Sequence, residues 1–338
     1  MLKKMLGVVL SWSLVVTVAP SVNAQGPAAA PPARTSPSAG GNSYDGPAQV
    51  RYQRNRDPLD RRIDMFMADW RESNPRHEHG SLVLRDILTR GDNFAPIQRG
   101  AVLERFNSVS RGVLAGRAST TPSRLTGQQE IFYILSGKGE IKSSAETSEL
   151  RKDIGVFIPA GVEFTMRNTG DEPLTMIVVN EPTAGNFKPR EKILIRDERK
   201  SPIGIPVDGS PYNSPGASGH WAHITRGLFS RADGLAAMSG IITVTINPLT
   251  LGEPHTHEPS HEEIWVALEG TSLAMLGAQI RMQRPGMAFM LRPDETMLHA
   301  NINHGETPVK FLWFSGSRRG DARAAAAAQA AAAASPKP

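Results

Sequence analysis

The chain of 338 residues contains no cysteine. Disulfides, redox dithiols, thiolate metal sites and cysteine nucleophiles are therefore excluded, and packing alone must hold the fold. Aromatic residues are scarce at 6%, and histidine occurs nine times, with none between His79 and His220. Excess charge is small as well. The formal net charge is +5, and removing Lys3 and Lys4 with the N-terminal leader leaves +3. So slight a balance argues against a dedicated nucleic-acid binder. The one basic run, Arg51, Arg54, Arg56, Arg61 and Arg62, is interleaved with Asp57, Asp60 and Asp64 and reads as a solvated, salt-bridged segment. The apolar run from Met5 to Val18 falls short of the ~20 residues that a spanning helix needs.

What is present begins with that leader. Lys3 and Lys4 precede the apolar run, and Val22-Asn23-Ala24 supplies small residues before Gln25. Residues 1–24 read as a secretory signal peptide. The leader has no Arg-Arg pair, which favours Sec export and a periplasmic or extracellular destination. A metal would then be acquired outside the cytoplasm, and no stable membrane span remains after cleavage. Residues 25–50 are rich in Pro, Ala, Ser and Gly and read as a disordered tether. Arg61 to Trp70 reads as a short helix. Residues 319–338 form an alanine-rich tail with no amphipathic stripe to hold it to a core.

Between these ends the expectation is all-β. Ile131–Leu135, Val156–Pro159, Leu174–Val179, Ile241–Ile246, Ile264–Leu268, Met287–Leu291 and Val309–Phe314 are short apolar runs separated by Gly, Pro, Asn and Asp. Many short strands at close spacing predict a sandwich or barrel rather than a parallel α/β sheet. The two halves also repeat. Residues 130–137 read EIFYILSG and residues 263–270 read EIWVALEG. Gly155 to Pro159 is echoed by Gly286 to Pro293, Phe164 and Asn168 by His299 and Asn303, and Asp171-Glu172-Pro173 by Glu306-Thr307-Pro308. A duplicated β domain follows.

Only the second copy carries a candidate metal site. His255, His257, Glu263 and His299 are three imidazoles and a carboxylate, the usual ligands of a catalytic first-row metal. Residues i and i+2 of a strand share a face, so His255 and His257 can grip one ion. The match to Glu130 selects Glu263 over Glu262. Gly252-x2-His255-x-His257-x5-Glu263-x6-Gly270 resembles the first cupin motif, and Gly286-x6-Pro293-x5-His299-x3-Asn303 resembles the second. The chain thus resembles a two-domain cupin, or bicupin, over roughly residues 100 to 317. That resemblance implies two tandem antiparallel jelly-roll barrels, with His255, His257, Glu263 and His299 binding one metal. Two departures bear on loop geometry: the gap from His257 to Glu263 is longer than usual, and Glu295 stands where the motif has glycine.

The expected division is 51–235 for a first cupin domain with its N-terminal arm and inter-domain segment, and 236–318 for the metal-binding cupin. His261, Trp265 and Asn303 are candidates for supporting the ligands or lining the pocket. His220, His223 and His304 read as packed or surface residues, and His77 with His79 as an exposed pair. In the first barrel Phe164 replaces the last ligand and the segment just upstream of Glu130, residues 121–127, holds no histidine, so that barrel reads as metal-free scaffold. Arg124, Gln129 and Glu130 remain a candidate organic-ligand set there. The cofactor expected is one divalent transition metal per chain, with Fe, Mn, Ni, Cu and Zn all suited to the donors. The expected partners are a small-molecule ligand or substrate and, as an open alternative, further copies of the chain. Three functions fit: a metal-dependent enzyme of oxidoreductase, decarboxylase, isomerase or lyase type, a small-molecule capture protein, and a structural bicupin.

Overall fold

The computed structural model describes residues 63–144, 146–204, 223–252, 254–257, 259–293, 297–318 and 321–322. The leader, the tether, most of the tail and His220 lie outside the described residues. Among the described residues, no helix is long and apolar enough to cross a membrane.

The strands form two pairs of sheets with matching order. In the first pair, the larger sheet runs Leu194–Asp197, Ile154–Ile158, Gln128–Ser136, Leu174–Pro182, Ser108–Leu114, Leu82–Arg90, Pro75–Glu78, with Ala101–Leu103 beside Leu82–Arg90. Its smaller partner runs Ser123–Arg124, Glu163–Asn168, Lys138–Ser143, Glu146–Arg151. In the second pair, the larger sheet runs Met67–Asp69, Met287–Leu291, Glu262–Glu269, Val309–Gly316, Gly240–Ile246, His223–Ser230. Its partner runs Thr250–Leu251, His299–Asn303, Ser272–Leu276, Gln279–Gln283. The expected all-β duplication is therefore present, with Pro75–Glu78 and Ala101–Leu103 as additions to the first larger sheet that have no counterpart in the second.

Why the central strands read as continuous apolar runs follows from where the cores sit. Along Glu262–Glu269, Trp265 and Ala267 enter the core inside the second barrel, while Ile264 and Val266 enter a core between the barrels. Along Gln128–Ser136, Phe132 and Ile134 face the first barrel's interior, while Ile131 and Tyr133 join the same shared core. A strand buried on both faces loses the apolar–polar alternation of a half-exposed one. The turn after each of these strands needs glycine: Gly137 and Gly270 have φ of +91° and +74°.

Two segments assigned by the sequence division to 51–235 instead hydrogen-bond into the second barrel's sheet. His223–Ser230 pairs with Gly240–Ile246, and Met67–Asp69 pairs with Met287, Ala288 and Phe289. The second pairing corrects the expected helix at Arg61–Trp70, whose described part contains a short 3-10 turn at 63–65 and then a strand. Phe66 and Ala68 enter the shared core while Met67 enters the second barrel's core. That alternation, with residues i and i+2 on one face and i+1 on the other, has the period of a strand.

Candidate metal centre

His255 and His299 face each other across an antiparallel bridge, with reciprocal backbone bonds of 3.2 and 3.0 Å. Glu263 is the second residue of strand Glu262–Glu269 in the larger sheet, and its side chain is fully enclosed. Its Oε1 lies 3.0 Å from His299 Nε2, and its Oε2 lies 2.8 Å from His257 Nε2 and 3.4 Å from His261 Nε2. Two overlapping trios, His255/His257/His299 and His257/His261/Glu263, place their donor atoms within 4.8 Å of one another. The sequence-predicted quartet is thus brought together, and His261 joins it. The longer gap between His257 and Glu263 is where His261 enters. Its ring stacks on that of His257 at 4.4 Å, beyond a left-handed Ser260 with φ of +70°.

The surroundings prepare these groups to act as ligands. His299 Nδ1 lies 3.1 Å from the His255 carbonyl. A proton on Nδ1 donates there and leaves the Nε2 lone pair aimed at the site. The indole N–H of Trp265 donates to Glu263 Oε1 at 2.5 Å. Trp265 also packs against Phe311, Trp313 and His223, so it both fills the core and orients the carboxylate. Burial would raise the Glu263 carboxyl, but His257 and His299 beside it hold it well below the ordinary carboxylate value. Burial pushes His257 down to about 4, against the pull of Glu263. The side chain of His257 is 19% exposed at the mouth of the site, yet its Nε2 is enclosed. A neutral His257 and an ionised Glu263 are the protonation states that metal coordination requires of these two groups. Neither His257 Nε2 nor Glu263 Oε2 has a partner of hydrogen-bond geometry despite their proximity. Lone pairs converging without hydrogen bonds fit a divalent ion.

Between pH 4 and 6.5, the His257 value when folded and its ordinary value, the unfolded chain binds a proton at this residue that the folded chain does not. Stability of the chelator-treated protein is therefore expected to rise with pH across that window and to level off above it. His257→Asn should flatten the slope. Urea unfolding at both ends of the window measures the difference.

Other candidates fall elsewhere. Asn303 is not in the site. Its Nδ2 donates to the carbonyls of Ile246, Asn247 and Thr307, and its Oδ1 accepts from Gly305. Asn168 makes the same set of bonds in the first barrel, to Leu114, Ala115, Glu172 and Gly170. The repeated asparagine is thus a loop staple. Glu262 points away and accepts the backbone N–H groups of Glu104 and Arg105 at 3.0 Å each. His223 is buried, and His304 is exposed.

The expected exposed pair is corrected at one of its members. His77 is exposed, but the His79 imidazole reaches into the first barrel, 2.9 Å from Glu130 and edge-on to Phe164. Asn180 donates to the other Glu130 oxygen at 3.0 Å. A buried carboxylate needs partners, and Glu130 finds one on a turn 51 residues away. The expected trio of Arg124, Gln129 and Glu130 is not assembled. The Arg124 side chain is 60% exposed, and Gln129 faces the opposite way, toward Glu181 and Gly234.

Comparison with known proteins agrees with this architecture. A cupin-domain family model matches residues 112–180. A putative glyoxylate induced protein from Pseudomonas aeruginosa superposes with a TM-score of 0.56 at 15% identity, over 71% of this chain and 83% of that one. The fold is that of a two-domain cupin. Oxalate decarboxylase from Bacillus subtilis matches the bicupin with a TM-score of 0.54 at 13% identity, over 75% of this chain and 77% of the enzyme. Two curated proteins resemble the bicupin over shorter stretches. An uncharacterized protein of Streptomyces coelicolor is 29% identical over 86 residues, which are 25% of this chain and 82% of that protein. Polyketide synthase CurC of Streptomyces cyaneus is 27% identical over 88 residues, 25% of this chain and 57% of CurC. Identities this low establish the fold alone.

Proposed function

We propose that this bicupin is an exported metalloenzyme. Its second barrel would hold one divalent transition metal and act on a small organic acid, phenolic or sugar-derived substrate, by oxygen-dependent oxidoreductase or decarboxylase chemistry. The observation that carries the reading is the enclosed Glu263 carboxylate with four imidazoles around it, two of them at a solvent-touching mouth. The similar oxalate decarboxylase of Bacillus subtilis has Mn(II) centres, which supports the choice of a divalent ion. When bound, the ion supplies Lewis acidity and an open coordination position. The chain does the rest. His255 fixes the His299 tautomer, and Trp265 aims Glu263.

The test is a metal-loaded preparation screened with and without O2 against oxalate, phenolics and sugar acids. Turnover that requires O2 is the expected result, with net O2 uptake marking an oxidase or dioxygenase and CO2 release without net uptake marking a decarboxylase. Binding of these compounds without turnover would replace the enzyme by a capture protein. N-terminal sequencing of protein recovered outside the cytoplasm is expected to begin at Gln25.

A further inference from the structure

The first barrel serves as an internal control for the second. Strand register aligns Thr225 with Leu84, Ser272 with Gly139, Gln283 with Leu150 and Asn301 with Met166, just as it aligns His299 with Phe164. At these aligned positions the first barrel's interior is apolar, apart from one glycine. In the second barrel every one of them is polar and at most 1% exposed. Thr225 Oγ1, Ser272 Oγ, Gln283 Oε1 and both amide atoms of Asn301 are enclosed without a protein hydrogen-bond partner. Orphaned buried polar groups are costly, so a cluster of them needs a reason. Asn301 lies on the same face of its strand as His299, two residues or roughly 7 Å deeper into the barrel.

We infer that this layer is a recognition subsite for the far end of a hydroxylated monoacid whose near end lies at the metal centre. The inference rests on the metal-centre reading above and deepens it by naming the substrate class. The free atoms include acceptors, Asn301 Oδ1 and Gln283 Oε1, which demand hydroxyl donors from the ligand. They also include donors, the Asn301 amide and the Thr225 and Ser272 hydroxyls. No arginine or lysine belongs to the layer, so a second carboxylate would be buried without a counter-charge. A dicarboxylate such as oxalate offers only acceptors and leaves two of these oxygens unmatched. A short polyhydroxy acid satisfies both kinds of group.

The test uses the full chain loaded with Zn2+, a redox-inert ion, with glycerate and oxalate as calorimetric probes. Asn301→Met copies the first barrel. It is expected to weaken glycerate roughly tenfold or more, to leave oxalate unchanged, and to keep zinc at the wild-type level. Its Tm should stay level or rise, because an orphaned amide is removed. Thr225→Val, a smaller change, should weaken glycerate by a few-fold and serves if the first variant does not fold. Unchanged glycerate affinity in both folded variants overturns the inference and leaves the layer merely hydrated. Tighter binding of oxalate than of glycerate by the wild type also overturns it. Wild-type protein that holds no zinc defeats the metal-centre reading itself, and metal analysis of the same samples separates that failure from the others.

Discussion

His257→Ala is expected to empty the second barrel, reducing bound metal from one ion per chain to a small fraction of that. His257 belongs to both trios of converging donors, so its loss breaks each of them at once. His261→Ala breaks only one trio and leaves His255, His257 and His299 beside Glu263, so that variant should keep its metal with weaker affinity. The orienting contact has its own cost. Trp265→Phe keeps the aromatic packing but removes the indole N–H that holds Glu263 Oε1, and loss of such a support typically weakens a metal site about 10–100-fold. The expected order of affinity is therefore wild type, then His261→Ala and Trp265→Phe, then His257→Ala last. Chelator competition followed by elemental analysis gives that order directly. Full metal occupancy in folded His257→Ala would sink the assignment of the centre. A useful contrast is Phe164→His in the first barrel. It should recruit no metal, because His79 and Asn180 already engage the two Glu130 oxygens.

What the sequence could and could not disclose divides along contact range. The strands, their duplication and the spacing from His255 to His299 are local or repeated patterns, and the fold contains them. Glu263 was separable from Glu262 because strand parity and the match to Glu130 agree. The His79–Glu130 contact was not legible, since a turn histidine has no periodicity to mark which way it faces. The nearest hint was the survival of Glu130 in a barrel whose other ligand positions are apolar. Such a carboxylate must be either exposed or partnered. Met67–Asp69 eluded the pattern for a related reason. Its strand character comes from pairing with residues more than two hundred positions away, and three residues are too few for an alternating signal to outweigh helical propensity. Asn303 misled in the other direction. Its position after His299 suggested a ligand-supporting role, but Asn168 sits at the same place in a barrel without that ligand set, which shows that the residue serves the loops. His261 lay in view as an insertion in the motif, yet only the left-handed turn at Ser260 shows that the insertion folds inward.

The largest loss of stability is expected outside the candidate metal centre, at Glu181. This carboxylate is fully buried at the end of a first-barrel strand. Its Oε1 accepts from Gln129 Nε2 at 2.7 Å and Ala236 N at 2.8 Å, and its Oε2 from Ala237 N at 2.9 Å and Met238 N at 2.7 Å. One side chain therefore fixes the segment that leads into the second barrel's strand Gly240–Ile246, and it seats Met238 in the core shared by both barrels. Glu181→Ala removes the acceptor for three backbone N–H groups at once and leaves a cavity beside them. Each unsatisfied buried donor costs about 1–3 kcal/mol. Water entering the cavity recovers part of that, so a net loss of about 3–5 kcal/mol is expected from the three donors together. Glu181→Gln keeps one acceptor oxygen but turns an NH2 group toward the backbone donors, and should lose roughly half as much. Urea unfolding is the measurement. The expected signature is a lower midpoint with an unchanged slope, since the surface exposed on unfolding is the same. Below its midpoint Glu181→Ala should still bind one metal per chain, because none of its contacts involves His255, His257, Glu263 or His299. A midpoint within experimental error of wild type would mean that the 236–238 segment is held by the shared core and not by this carboxylate.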